Sequence, residues 1–234
     1  MMSRHLQTEI EKLKRNVLYL SAIVENSVQK AVRAIESRDP AVGGEVLEAD
    51  EEIDRMEVEI EEECLKVLAL HQPVAGDLRF IIAILKMNNE LERIGDQAVN
   101  IAERAVLLAC RPKVDMPFDF ALMAEKAKDM LKQSLDALVN RDSKLARKVC
   151  AADDAVDDMH KQMYIKAQDG IRHHPEHAES YIFLLSVSAQ LERIADHATN
   201  VAEDVIYMVE GDIIRHRDAP NKQNRHPKYY DSTQ

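Results

Sequence analysis

Residues Glu90–Ala105, ELERIGDQAVNIAERA, return 100 residues later as Gln190–Val205, QLERIADHATNVAEDV. The copies share Leu91/Leu191, Glu92/Glu192, Arg93/Arg193, Ile94/Ile194, Asp96/Asp196, Ala98/Ala198, Asn100/Asn200, Ala102/Ala202 and Glu103/Glu203. Their apolar members recur every three or four residues, the period of an amphipathic helix and not of a strand. A repeat of about half the chain length implies two related halves. With Glu92 at zero and about 100° per residue, Glu103 falls near 20°, Asp96 near 40° and Asn100 near 80°, whereas Ile94, Ala98, Ile101 and Ala105 gather at about 180° to 240°. Oxygen-bearing side chains thus share one stripe, opposite the core contacts.

Outward from this helix the same period continues. Leu6, Ile10, Leu13, Val17, Leu20, Val24, Val28, Ala31 and Ile35 make one apolar seam along a first helix. Asp39-Pro40 supplies an N-cap and a proline at the first helical position, opening a second helix to about Leu70, in which Gly43 and Gly44 read as a weak spot. His71-Gln72-Pro73-Val74-Ala75-Gly76-Asp77 breaks the chain, and a third helix runs from near Asp77 to Cys110. Pro112 and Pro117 bracket a linker. The plan then repeats, with helices expected over about Phe118–Asn140, Asp142–Gly170 and Pro175–His216. Arg38-Asp39 matches Arg141-Asp142, and Asp50, Asp54 and Met56 match Asp153, Asp157 and Met159 at an offset of 103, so the drop to 100 places a deletion in the last hairpin loop. The expected fold is all-α: two tandem antiparallel three-helix bundles, residues 1–112 and 117–217, with a mobile polar tail over 218–234. Helices of about 30 residues are about 45 Å long and should cross at roughly 20°.

Composition narrows the function. Aromatics are 4%, Trp is absent and Gly numbers 6, a palette suited to helices and not to sheet. A formal net charge of −11 argues against a nucleic-acid grip and favours cations or basic protein surfaces as partners. Cys64, Cys110 and Cys150 are odd in number and widely spaced, which fits a reducing cytoplasm and neither a disulfide framework nor a zinc knuckle. The longest apolar runs fall far short of the ~20 residues that span a bilayer, so any membrane association is expected through a partner. No Gly-rich phosphate loop or nucleophile motif occurs.

Asp50 and Asp54 form an i, i+4 acidic pair on the second helix, continued by Glu57 and Glu61, and Asp153 with Asp157 repeats it. Side by side with Glu92, Asp96 and Asn100, or with Glu192, Asp196 and Asn200, each pair would make an outward patch of hard oxygen donors. Such donors suit Mg²⁺, Ca²⁺, Mn²⁺ or iron better than a closed zinc site. A plain solvated face neutralised by Arg93 and Arg193 remains open beside that reading. Di-iron enzymes use Glu-x-x-His motifs turned into a bundle core, and none lies on these stripes, which weakens the alternative of a carboxylate-bridged metal enzyme. His197 has Gln97 as its counterpart, His173, His174 and His177 flank Pro175 in a loop, and His160 lies one turn beyond Val156; all read as something other than repeated ligands.

LERIGDQAVNIAERA, the preceding HQPVAGDLR and LERIADHATNVAEDVIYMVEG together resemble the PhoU phosphate-uptake regulators, over roughly residues 5 to 215. The resemblance implies a non-enzymatic cytoplasmic adaptor between a phosphate ABC transporter, through its ATPase subunit, and a sensor histidine kinase. It implies restraint of the phosphate-starvation response and of uptake, homodimers, and in some members metal clusters of Fe, Mn, Mg or Zn. Those metal roles carry to Asp50, Asp54, Glu92, Asp96 and Asn100, and to Asp153, Asp157, Glu192, Asp196 and Asn200. Arg93, Glu103, Arg193 and Glu203, on the same stripes, are expected to face a partner.

Overall fold

The structure, a computed structural model, describes residues 4–115 and 118–211. Six α-helices follow in order: α1 Arg4–Ser37, α2 Pro40–His71, α3 Ala75–Ala109, α4 Phe120–Asn140, α5 Ser143–His173 and α6 Ala178–Glu210, with a 3₁₀ turn, Pro175–His177, before α6. Helices α1–α3 form one antiparallel bundle and α4–α6 the other, as the repeat predicts. All nine apolar residues of the expected α1 seam are buried. Each Leu, Ile or Val among them removed from water contributes about 1.5–3 kcal/mol, which explains why a helix this polar on its outer face is held in place.

Local signals act where the sequence puts them. The Asp39 carboxylate accepts from the Ala41 N–H at 2.9 Å ahead of Pro40, and Asp142 accepts from Lys144 and Leu145 at 2.9 and 3.0 Å. Arg38 and Arg141, one residue before these caps, both take positive φ of 56° and 53° and end their helices. Arg38 then donates to the carbonyls of Leu108 and Arg111, closing the C-terminal end of α3, while Arg141 lies over the Phe80 ring at 5.4 Å. His174 and the 3₁₀ turn join α5 to α6 where Gln72–Val74 join α2 to α3, and the offset between the copies changes from 103 to 100 across this connection.

Three findings differ from the reading of the sequence. Helix α6 starts three residues later than expected because Pro175–His177 winds as 3₁₀, and it ends at Glu210 with Gly211 at φ 80° as its C-cap; the expected end at His216 and the tail over 218–234 lie outside the described residues. Gly43 is buried, and a Cβ there would sit 3.3 Å from the Ala102 carbonyl oxygen, so it permits close approach of α2 and α3 and is not merely a weak spot. The third difference is the largest. The two bundles share one hydrophobic core, because α3 packs against α6 as well as against its own bundle. Facing neighbours on three sides, α3 buries Leu91, Gly95, Gln97 and Ala102 in addition to the narrow arc that periodicity picks out.

Glycine positions give a direct check of this packing. A Cβ at Gly170 would lie 2.5 Å from the Tyr181 ring, whereas at Gly44 it meets nothing within 4 Å. Gly170→Ala is expected to lower stability by about 1–3 kcal/mol through overpacking, and Gly44→Ala to raise it by about 0.5–1 kcal/mol. Urea midpoints of the two variants should move in opposite directions.

Candidate functional site

The pairing of α2 with α3 brings Asp50, Asp54, Glu57, Glu92 and Asp96 into one electrostatically coupled row. Burial, then the charges of Asp96, Asp54 and Glu57, pushes the Glu92 carboxyl above its ordinary range. Asp50 is raised by burial and by Asp54 and Asp96, and Glu57 by burial and by Glu61 and Asp54. Gly95 lies inside this row. A Cβ on it would press on the Ile53 side chain at 3.1 Å and approach Asp50 Oδ1 at 3.8 Å, so a side chain here would make Ile53 shift. Asn88, one turn before Glu92, is 1% exposed and donates to the Glu57 backbone carbonyl at 2.7 Å and to Glu57 Oε1 at 3.3 Å.

In the second half, α5 and α6 assemble Asp153, Asp157, Glu192 and Asp196 in the same way. Glu192 is pushed up to about 7, first by burial and then by Asp196, Asp157 and Asp153, with Arg193 opposing. Asp153 is buried and Glu192, Asp157 and Asp196 are half-buried, whereas Asp54 and Asp96 of the first row are exposed. The second row is therefore the more enclosed. At the place of Glu57 and Asn88 stand His160 and Ser188, with His160 Nδ1 2.9 Å from Ser188 Oγ.

The other expected site residues are placed as follows. Asn100 donates to the Asp96 carbonyl of its own helix, while Asn200 turns to the bundle interface and donates to Glu90 Oε2 at 3.2 Å. The repeat thus keeps the residue and changes its task. Arg93 is exposed and lies 4.0 Å from Glu90, Glu103 is exposed beside Arg104, Arg193 is exposed and Glu203 half-buried.

Sequence reasoning overlooked the contacts that join the bundles. Glu90 Oε2 lies 2.6 Å from His197 Nδ1, Lys86 pairs with the buried Asp204 at 3.0 Å, and Arg79 Nε donates to the Met208 carbonyl at 3.1 Å. Early residues of α3 meet late residues of α6, so the two helices run antiparallel. The available signal was the set of positions where the copies disagree, Glu90/Gln190 and Gln97/His197, since a contact across two half-related helices needs different partners on each side.

Among the described residues, no group of three or more His, Cys, Asp or Glu side chains is arranged to hold a metal ion. The donor chemistry of the rows is nevertheless of the hard-oxygen kind that suits a cation: carboxylates, some partly desolvated, with the buried Asn88 Oδ1 beside the first lacking a hydrogen-bond partner among the described residues. A cavity of about 570 Å³ lies elsewhere, at the linker end, lined by Arg38, Leu108, Phe118, Phe120 and Leu184 among others, and contains none of the row residues. No described helix is long and apolar enough to cross a membrane.

The chain matches the model of the PhoU domain twice, over residues 17–105 and 120–205. It is 38% identical over 214 residues to the phosphate-specific transport system accessory protein PhoU homolog of Aquifex aeolicus, covering 92% of this chain and 97% of that one. The homolog of the same name from Pseudomonas aeruginosa is 34% identical over 92% of this chain and 89% of its own. The crystal structure of PhoU from Pseudomonas aeruginosa superposes with a TM-score of 0.83 over 88% of this chain and 99% of that one, at 34% identity. The phosphate transport system regulatory protein PhoU from Streptococcus pneumoniae gives 0.79 over 89% and 98%, at 25% identity.

Two pH dependences follow. Burial works to raise the Glu90 carboxyl, but hydrogen bonds from His197 and Asn200 and the charge of His197 outweigh it, so the group sits below its ordinary 4.5. Its contribution is present above that value and lost as pH falls through the lower folded one. Glu90→Gln should lower stability by about 1–3 kcal/mol near neutrality, and the gap to the parent should close in acid. Glu192 has the opposite sign: its raised pKa makes the fold lose stability as pH climbs from about 4.5 to about 7. Glu192→Gln should flatten that decline and add on the order of 1 kcal/mol at pH 8 after solvent screening, read from urea unfolding across pH.

Proposed function

This chain belongs to the PhoU family, and from that premise we propose that it serves a phosphate transport system as a cytoplasmic adaptor and negative regulator. On this reading it links the transporter's ATPase subunit to a sensor histidine kinase and restrains both uptake and the starvation response when phosphate is plentiful. The single observation that carries the mechanism is the pair of acidic rows on α2/α3 and α5/α6, where burial and neighbouring carboxylates raise Glu92 and Glu192.

An adaptor needs no reacting group. It needs a stiff surface whose affinity for a partner differs between that partner's states. Shared packing of α3 on α6 supplies the stiffness, and the rows supply the charge that a basic partner surface would neutralise. Bound cations would do the same work, held by Asp50, Asp54, Glu92 and Asp96 or by Asp153, Asp157, Glu192 and Asp196, and would convert an acidic face into one that bridges to another acid. Pairing of two copies into a homodimer belongs to the same proposal, since it would double the rows presented to a two-fold partner.

Asp96→Ala combined with Asp196→Ala is expected to weaken binding to the kinase and to the ATPase subunit by tenfold or more, while leaving the helical circular dichroism unchanged. Parent affinity should also fall as salt rises, because exposed charges are screened beyond about 10 Å at 0.1 M. Unchanged, salt-insensitive binding by a folded double variant would count against the rows as the docking surface.

A further inference from the structure

Among the described elements α2 packs only against α1 and α3, and its side chains sort by direction. With Leu47 at zero and about 100° per residue, the buried Val46, Ile53, Met56, Ile60, Cys64 and Val67 fall at roughly 180° to 260°. Glu45, Glu52, Glu59 and Glu63, which pair with Lys30, Arg55 and Lys12, fall at roughly 120° to 160°. Asp50 and Glu57, at about 300° and 280°, turn toward the row shared with α3. An outer stripe is left opposite the core. Leu47, Val58 and Leu65 lie on it almost in line, 42%, 51% and 53% exposed, with the exposed carboxylates of Glu51, Asp54, Glu61 and Glu62 beside them.

Exposed leucines taken singly are ordinary on a protein surface. The repeat supplies the comparison that makes these three informative. Helix α5 is equally peripheral, packing only against α4, α6 and the 3₁₀ turn, and at the offset of 103 its residues in their places are Cys150, Lys161 and Gln168. Its one exposed large apolar side chain is Ile165. Charge differs as well: Pro40–His71 holds eleven Asp and Glu against two Lys and Arg, whereas Ser143–His173 holds five against six. One outer helix is apolar-striped and strongly acidic, and its counterpart is polar and nearly neutral.

We infer that the outer stripe of α2 is a docking surface for a basic amphipathic helix of a partner protein. The inference rests on the reading of the chain as an adaptor, and adds the face used and the kind of element that lies on it. Leu47, Glu51, Asp54, Val58, Glu61 and Leu65 alternate steps of four and three residues, the spacing along which one helix packs on another at a shallow angle. They span about 27 Å, or five turns. A helix with Leu or Ile on one stripe and Lys or Arg flanking it would cover the three apolar side chains and neutralise the acids in the same contact. A second copy fits poorly, because α2 against α2 would bring two strongly acidic faces together.

The test uses the full chain with three probes: the kinase, the ATPase subunit, and a labelled synthetic helix of about three heptads with Leu at the seam and Lys beside it, followed by fluorescence anisotropy. Val58→Gln with Leu65→Gln, both at exposed positions, should keep the helical circular dichroism and weaken the peptide and at least one of the two proteins by about tenfold or more. A scrambled peptide of the same composition should bind the parent about tenfold more weakly, since charge alone would not distinguish the two. Glu51→Lys with Glu62→Lys should lose the Lys peptide and take up its Glu counterpart, a gain that misfolding cannot imitate. If Val58→Gln with Leu65→Gln leaves both proteins bound as before while Asp96→Ala with Asp196→Ala releases them, the stripe is not the docking surface and the adaptor reading stands. If the same glutamine variant leaves partner binding intact but dissociates a parent dimer in light scattering, the face belongs to a second copy and the inference is overturned. If neither protein binds the parent, the adaptor reading falls and the inference with it.

Discussion

Everything in this molecule is arranged around the burial of α3 against α6. A three-helix bundle of this length has a narrow apolar seam, and two such bundles side by side would still leave the backs of their third helices exposed. Packing those backs together merges two small cores into one. The merger also settles orientation, because Lys86 with Asp204 and Glu90 with His197 and Asn200 are met only when the helices run antiparallel in one register. The pairing of half-exposed Lys86 with buried Asp204 contributes less to stability than to choosing that register, since the Asp204 carboxylate buried without a cation would be strongly unfavourable.

With one flank of α3 and α6 committed to the seam between bundles, the remaining polar stripe of each is left beside α2 or α5. The acids are drawn together by apolar packing beneath them, at Ile53 against Gly95, and not by any attraction of their own. The carboxyl pKa values are raised by burial first and by that imposed proximity second.

Duplication gave both halves the same row, and divergence then made them unequal. Glu57 faces His160 across the repeat, Gly95 faces Ala195, Gln97 faces His197, and Asn100 stays on its own helix while Asn200 crosses to Glu90. Most of these exchanges sit at or next to the rows and the seam. The α1 seam, which only has to be apolar, shows how little chemistry a plain packing position needs.

Read by itself, the sequence determined the helices, their order, the twofold plan and the stripe that carries the acids, because helical period, caps at Asp39 and Asp142 and the repeat offset are all local quantities. Asp50 and Glu92 could be paired from the same arithmetic once neighbouring helices were assumed to touch. What only the tertiary structure decided was contact between the halves: the burial of Gln97, the turning of Asn200 to Glu90, the closeness permitted by Gly43 and Gly95, and the hold of Ser188 on His160. Those depend on which flank of a helix meets a neighbour and at what distance, and a one-dimensional period carries the direction of a side chain but not the identity of what stands opposite it.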